Sequence, residues 1–288
     1  MKLVVTAPAS AANLGPGFDA LGLALGIVNE VEVEIGAEPG VEVEGEGAGE
    51  LPADASNLVF RAMAFLAREV GGALPALRMR CRNGVPLARG LGSSAAAVVS
   101  GLLLADRLLG AELGESRLLE VAVDLEGHPD NVAACLRGGL VIAYLSSAGW
   151  RAEGLAPHPE LRPAVLVPEH ERIATDDARR VLPLQVPIRD AAHNLGRSAL
   201  AVVALTARPE LLAESLDDRL HQARRLELAP AARALFAELR HAGVPVCVSG
   251  SGPTLLAFES EGARVPELGP GWRVLRPEVA AGASVREA

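Results

Sequence analysis

Pro86-Leu87-Ala88-Arg89-Gly90-Leu91-Gly92-Ser93-Ser94-Ala95-Ala96 carries glycines and serines straight into an apolar segment that runs to Leu109, with Asp106 and Arg107 as its only charges. Gly90 and Gly92 let backbone N–H groups turn toward an anion. A helix opening near Ser93 adds unpaired N–H donors and the positive end of its dipole. So continuous a run of Ala, Val and Leu predicts a helix buried nearly all round. The pattern predicts a phosphate cradle whose helix is anchored in the core and points its N-terminus at the ligand.

A P-loop would add a lysine that reaches the terminal phosphates. The only lysine here is Lys2. Phosphate must therefore be held by backbone, hydroxyls, a metal ion or guanidinium groups. Gly90 to Ala95 also fits the dinucleotide pattern G-x-G-x-x-A, but so does Gly15-Pro16-Gly17-Phe18-Asp19-Ala20. A Rossmann turn follows its strand almost directly, and an acidic residue closes the next strand about 20 residues on. Here Asn83-Gly84-Val85-Pro86 intervenes and the acidic residue is missing. A nicotinamide-dependent oxidoreductase is the weaker alternative.

The 288 residues suit one large or two modest domains, and 50% of them are hydrophobic, ample for a core. A net charge of −9 with 3% aromatic residues gives neither the basic face nor the stacking rings of a nucleic-acid binder, so no nucleic-acid partner is expected. Cys81, Cys135 and Cys247 lie in apolar or strand-like segments without C-x-x-C spacing and are expected to be reduced core residues of a cytoplasmic protein. Met1 to Thr6 is too short for a signal peptide, and no stretch reaches the roughly 18 apolar residues of a membrane span. His170-Glu171-Arg172-Ile173-Ala174 lacks the second histidine of H-E-x-x-H, and no G-x-S-x-G occurs, so hydrolysis has no support.

Periodicity predicts strands at Leu3–Thr6 and Val31–Ile35, with Val41–Glu44 as a hairpin partner of the latter. A helix follows over Ser56–Val70, capped by Ser56 or Asp54 and stopped at Gly71-Gly72. Next come a strand at Leu77–Arg82, the cradle helix, a helix at Ser116–Leu125 and a strand at Leu140–Tyr144. The Gly- and Pro-rich stretch from Ser146 to Pro163 is the expected domain boundary. Beyond it the pattern gives strands at Ala164–Val167, Val246–Val248 and Thr254–Phe258 and helices at Ile188–Thr206 and Ala231–His241. The mixture is α+β.

Four segments together resemble the GHMP kinases, and within them the homoserine kinase family. Residues 86–96 match the P-x-x-x-G-L-G-S-S-A-A signature without a gap. Pro8 to Asp19 resembles the amino-terminal motif, His128-Pro129-Asp130-Asn131-Val132-Ala133 the substrate loop, and Ser249-Gly250-Ser251-Gly252-Pro253-Thr254 the third, glycine-rich motif. The resemblance implies the GHMP kinase fold: an ATP-binding domain of the ribosomal S5 domain 2-like type over 1–150, then a ferredoxin-like domain over 151–288.

It also implies roles. Pro86 to Ala96 would form the nucleotide loop, with Gly90, Gly92 and Ser93 around the triphosphate. Ser94 and Glu120, eight residues before His128, would hold Mg²⁺. Asn13, Asp19, His128 and Asn131 match residues around the amino-acid substrate, with Asp19 suited to an ammonium group. Thr175 and Arg179 match a segment beside the transferred phosphate and the substrate. Arg225, ending His221-Gln222-Ala223-Arg224-Arg225 in place of the family's H-Q-P-Y-R, would bind the carboxylate, with Arg224 as the alternative. A homodimer is implied by the resemblance alone.

Read without the resemblance, several of these residues have plain explanations. Glu120 has the largely polar helical neighbours Ser116, Arg117, Val123 and Asp124 and fits a solvated carboxylate, with Asp124 and Glu126 as nearby alternatives. Asp130 fits a helix N-cap, Ser249 to Pro253 an ordinary glycine turn, and the arginine pairs solvated helix faces. A carboxylate substrate nevertheless needs a planar donor fork, which arginine supplies.

The reading that results is transfer of phosphate from ATP to the hydroxyl of L-homoserine, with Asn131, Thr175 and Arg179 beside the reacting groups. An amide takes no proton, so Asn131 is expected to orient the hydroxyl while the proton passes to phosphate or solvent. The alternatives are a mevalonate-type GHMP kinase, disfavoured by the missing lysine, and a non-catalytic ATP or amino-acid sensor.

Overall fold

The computed structural model describes residues 1–288. Its first layer is a seven-stranded sheet built on two long strands, β1 (Lys2–Ala12) and β2 (Leu21–Ile35), paired antiparallel with a bulge at Pro8/Ala9. Both outrun the expected strands, since Pro8 to Ala12 and Leu21 to Gly26 have little β propensity. Burial supplies what propensity lacks, because Ala7 to Ala12 and Leu21 to Leu25 are enclosed.

β3 (Gly40–Gly45) leads through helix α1 (Leu58–Glu69) to β4 (Leu77–Asn83). β4 takes the edge of β2, and β3 pairs parallel on the far side of β4. The expected β2–β3 hairpin is therefore incorrect. A parallel pair needs a crossover, and α1 provides it. The cap of α1 also differs from expectation: Asn57 accepts from the Val59 N–H at 3.0 Å, while the Asp54 carboxylate bonds Ser56.

The cradle helix α2 (Ser93–Leu109) follows, then α3 (Glu115–Glu126) and α4 (Asp130–Arg137). These helices cover one face of the sheet. Leu102, Leu104, Val98 and Val99 of α2 are buried beside Met63 and Leu66 of α1. At Gly101 a Cβ would come within 2.4 Å of the Val59 carbonyl oxygen, so glycine is what lets α1 and α2 approach. β5 (Leu140–Ser146) pairs with the start of β2, and β6 (Gly149–Leu155) pairs with β5, which extends the first sheet to Leu155.

The second layer begins at β7 (Pro163–Pro168), followed by α5 (Thr175–Arg180), α6 (Ile188–Thr206), α7 (Leu212–Ser215), α8 (Gln222–Leu226) and α9 (Pro230–His241). β8 (Val246–Val248), β9 (Leu255–Phe258) and β10 (Trp272–Leu275) complete an antiparallel sheet of order β10-β7-β9-β8. The chain then returns to the first sheet, where β11 (Ser284–Glu287) pairs with β1.

One continuous core joins the layers. Ala9, Leu23 and Leu25 from the first sheet pack with Val165, Leu256 and Phe258 from the second and with Ala201 and Leu205 of α6. The three cysteines are buried and unbridged. No helix is long and apolar enough to cross a membrane.

Candidate active site

The cradle loop has an unusual backbone. Ala88, Gly90 and Gly92 all have positive φ (51°, 71° and 68°). Each glycine is required by a close approach. A Cβ on Gly90 would lie 2.1 Å from the Ser249 carbonyl oxygen, and one on Gly92 would lie 2.1 Å from Ser10 Oγ. Gly92 is the N-cap of α2 and no side chain caps the helix, so its first N–H groups are free for an anion.

The third motif clamps this loop from the second layer. Ser249 Oγ donates to the Gly90 carbonyl at 2.8 Å, and the Gly250 N–H donates to the Ala12 carbonyl at 3.0 Å. The Arg89 side chain donates to the carbonyls of Pro168 and Glu169, which ties its guanidinium to the second layer. Ala95 and Ala96 face the core rather than the cavity, both 0% exposed.

A single cavity of about 510 Å³ runs from this loop into the second layer. Asn13, Asp19, His128, Asn131, Thr175, Arg179 and Arg225 all line it together with Pro86 to Ser94. Its other end is formed by Val31, Leu51, Pro52, Leu58, Val59 and Cys81, an apolar slot that the sequence did not disclose.

Glu120 does not reach the cavity. Its carboxylate meets Arg117 at 3.2 Å and Arg151 at 3.4 Å on the outer side of α3. The α3 carboxylate that lines the cavity is Glu126, whose Oε1 accepts from Ser94 Oγ and whose side chain is 7% exposed. Glu120, expected beside Ser94, thus lies away from the cavity, and Glu126 lines it instead. Glu126 lies six positions after Glu120, about 120° around the helix and about 9 Å along it. α3 ends at Glu126, and Gly127 in the left-handed conformation turns the chain directly into His128. Burial pushes the Glu126 carboxyl above its ordinary value, against the opposing Ser94 hydrogen bond and His128 charge.

His128 is 9% exposed, with Nδ1 3.4 Å from Asp130 Oδ1 and Nε2 4.0 Å from Glu126. Burial works against its charge, but Asp130 and Glu126 prevail and raise its pKa. Asp130 opens α4 and is 2% exposed; one carboxylate oxygen accepts from the Asn131 N–H at 2.8 Å. It is a second buried carboxylate at the site, and its place between His128 and Asn131 was the signal for it. Asn131 Oδ1 accepts from Ser10 Oγ at 2.9 Å, which fixes the amide and turns Nδ2 toward Asp130.

At the second-layer end, Arg179 donates to both oxygens of Asp19, at 2.9 and 3.1 Å. Thr175 is exposed at the mouth, in the first turn of α5. Arg225 is 3% exposed and donates to the Gly250 carbonyl at 2.7 Å, whereas Arg224 pairs with Glu227 on the surface. Of the two, Arg225 lines the cavity and Arg224 does not. Burial, with the Arg179 charge, lowers the Arg225 pKa to about 10, so it stays cationic at neutral pH. Phe18 lies between the two guanidiniums, 5.8 Å from Arg179 and 5.3 Å from Arg225.

Comparison with known proteins gives two family matches, GHMP kinases N terminal domain over residues 57–139 and GHMP kinases C terminal over residues 183–266. The chain is 48% identical to the homoserine kinase of Mycolicibacterium vanbaalenii over 88% of its length and 83% of the relative's. It is 44% identical to that of Streptomyces avermitilis over 98% and 94% of the two chains. The crystal structure of homoserine kinase from Cytophaga hutchinsonii superposes with a TM-score of 0.83 at 28% identity, covering 99% of this chain and 97% of that one.

Proposed function

The chain belongs to the homoserine kinase family of the GHMP kinases, and from that premise we propose that it phosphorylates the side-chain hydroxyl of L-homoserine with ATP. The observation that carries the reading is the single cavity. An uncapped helix N-terminus that follows two left-handed glycines shares it with a carboxylate, Asp19, and two arginines, Arg179 and Arg225. The first set is built for phosphate, the second for a zwitterion.

ATP lies with its base in the apolar slot near Val59 and Cys81 and its phosphates on the backbone of Gly90 to Ser93. Ser94 and Glu126 offer two adjacent oxygen donors, and no group of three or more His, Cys, Asp or Glu is placed to hold a metal ion. That donor set fits Mg²⁺, which keeps several waters and takes phosphate oxygens as its remaining ligands. Ser94 and Glu126 would hold Mg²⁺ there, and it would supply neutralisation of phosphate charge.

The amino-acid ammonium rests on Asp19 and its carboxylate on Arg225 and Arg179, with Thr175 at the mouth beside the transferred group. The hydroxyl then reaches Asn131 Nδ2 as donor and Asp130 as acceptor. Its oxygen bonds to the γ-phosphorus as the bond to the β–γ bridging oxygen breaks, and its proton ends on the transferred phosphate. Positioning and charge neutralisation provide the acceleration.

The test is ³¹P NMR of the protein with ATP, Mg²⁺ and L-homoserine. A phosphomonoester resonance growing with that of ADP is expected; ADP with inorganic phosphate alone contradicts the reading. Asn131→Ala is expected to lower kcat while KM for ATP stays within about twofold, since it removes an orienting contact made in the transition state.

A further inference from the structure

His221 lies outside every role given so far. Its imidazole is 1% exposed and bridges Gly15 and Arg225. Nε2 is 2.7 Å from the carbonyl oxygen of Gly15, in the turn that runs from Asn13 to Asp19, and Nδ1 is 3.2 Å from Nη1 of Arg225. A backbone carbonyl can only accept and a guanidinium can only donate. The ring is therefore confined to one neutral tautomer, with Nε2–H donating to Gly15 and Nδ1 accepting from Arg225.

The surroundings hold that arrangement. Asp218, whose carboxylate is 0% exposed, accepts from the backbone N–H groups of Leu220, His221 and Gln222 and from Asn194 Nδ2, which anchors the start of α8. Its nearer oxygen is 3.8 Å from His221 Nε2. The Phe18 ring packs 5.3 Å from the imidazole, tilted by 41°. Burial and the Arg225 charge lower the basicity of His221, while Asp218, the Gly15 carbonyl and Asp19 act the other way; the net shift is downward. A proton on Nδ1 would oppose Arg225 with a second donor and a second charge.

We propose that His221 is a positioning residue for the amino-acid substrate: one edge of its ring fixes the turn that carries Asp19 and the other fixes Arg225, so a single imidazole sets the spacing between ammonium site and carboxylate site. This inference rests on the reading of Asp19 and Arg225 given under the proposed function. Arg225 Nε is buried without a partner, and Nη1 is committed to His221 and Gly250. The substrate carboxylate thus meets a guanidinium whose position is imposed from behind.

His221→Phe keeps a ring against Phe18 and removes both hydrogen bonds. Its KM for L-homoserine is expected to rise about tenfold or more, with KM for ATP within about twofold, because only one pocket loses its geometry. His221→Gln, with one amide donor and one acceptor, is expected to recover most of that loss. A purely structural role would lower thermal stability and leave both KM values unchanged, and that result overturns the proposal. Wild-type protein and Arg225→Lys are assayed alongside. A wild type inactive on L-homoserine overturns the reading of the site and this inference with it. An active wild type with a raised KM in Arg225→Lys and a normal KM in His221→Phe overturns the inference alone. Should His221→Phe not fold, ¹⁵N NMR of histidine-labelled wild-type protein at pH 7.5 decides. The signal is expected to show a protonated Nε2 and a bare Nδ1, and an imidazolium or an Nδ1–H tautomer overturns the proposal.

Discussion

Asn13, Leu14 and Asp19 hold left-handed backbones, with φ of 69°, 44° and 53°, a conformation that costs non-glycine residues about 1–3 kcal/mol each. The turn is held from several sides. Asn13 Nδ2 donates to the Gly250 carbonyl at 3.0 Å, its Oδ1 accepts from the Asp19 N–H at 3.1 Å, and His221 donates to Gly15. The result places the Asp19 carboxylate against Arg179, an ion pair with the same two charges as a zwitterion's ends. A substrate carrying both charges exchanges with the pair and leaves neither member unmatched. Asp19→Asn is accordingly expected to raise KM for L-homoserine by about tenfold or more while leaving KM for ATP unchanged, since it removes a charged hydrogen-bond acceptor from one pocket only. Gly92→Ala meets Ser10 Oγ at 2.1 Å at a positive φ. Activity should fall about 100-fold or more, with a lower Tm, as the cradle backbone is forced to move. The residues that line this cavity were legible where a side chain or a glycine is fixed by its motif, as at Asn13, Asp19, Gly90, Gly92, Asn131 and Arg225. Ala95 and Ala96 stand in the same motif and point elsewhere, because a linear match does not give direction.

The junction of α3 and α4 is the element on which the charge of the site turns. Glu126 ends one helix and Asp130 begins the next, with His128 between their carboxylates. Counting residues back from His128 selects Glu120, because spacing across a loop carries no information on where the helix stops. The turn at Gly127 fixes the answer. Glu120→Gln is expected to keep activity within about twofold, as for other half-exposed surface changes. On the proposal that Glu126 holds Mg²⁺ with Ser94, Glu126→Gln should lose about 100-fold or more with Mg²⁺-ATP. The pH dependence follows from the raised carboxyl of Glu126. Its native form binds a proton more tightly than the unfolded chain does. Stability of the metal-free protein is therefore lost as pH rises from the ordinary carboxylate value through the raised one. Glu126→Gln removes that penalty and should raise the metal-free Tm at pH 8, even as activity disappears. In the wild type, more Mg²⁺ should be needed for half-maximal activity as pH falls through the same window, because the metal competes with a proton. Strand direction shows the same limit of sequence patterns. The alternation of Val41 to Glu44 gave a strand but no direction, and the following helix α1 was the signal for a parallel crossover to β4.

Across the whole molecule, the α+β class and the longer elements followed from periodicity, whereas α4, β6, α5, α7, α8 and β10 were not marked by it. The return of β11 to β1 did not follow from it either, because a four-residue edge strand with no buried residue carries little pattern. Neither did the core that joins the two sheets, whose Ala9, Leu23, Val165 and Phe258 come from strands far apart in sequence. Such a shared core predicts cooperative unfolding. The two tryptophans report separately, Trp150 from β6 in the first layer and Trp272 from β10 in the second. Trp150→Phe and Trp272→Phe should therefore give coincident urea midpoints, and separated midpoints would mean that the layers unfold independently. The same joining brings a phosphate cradle from one layer and arginines from the other into one cavity, which is the basis of the proposed activity. The most direct measurement is ADP release by the purified protein with ATP and Mg²⁺, comparing L-homoserine, L-serine, L-threonine and mevalonate. Turnover confined to L-homoserine is predicted; turnover of another alcohol in its place, or of none, would contradict the assignment while leaving the fold intact.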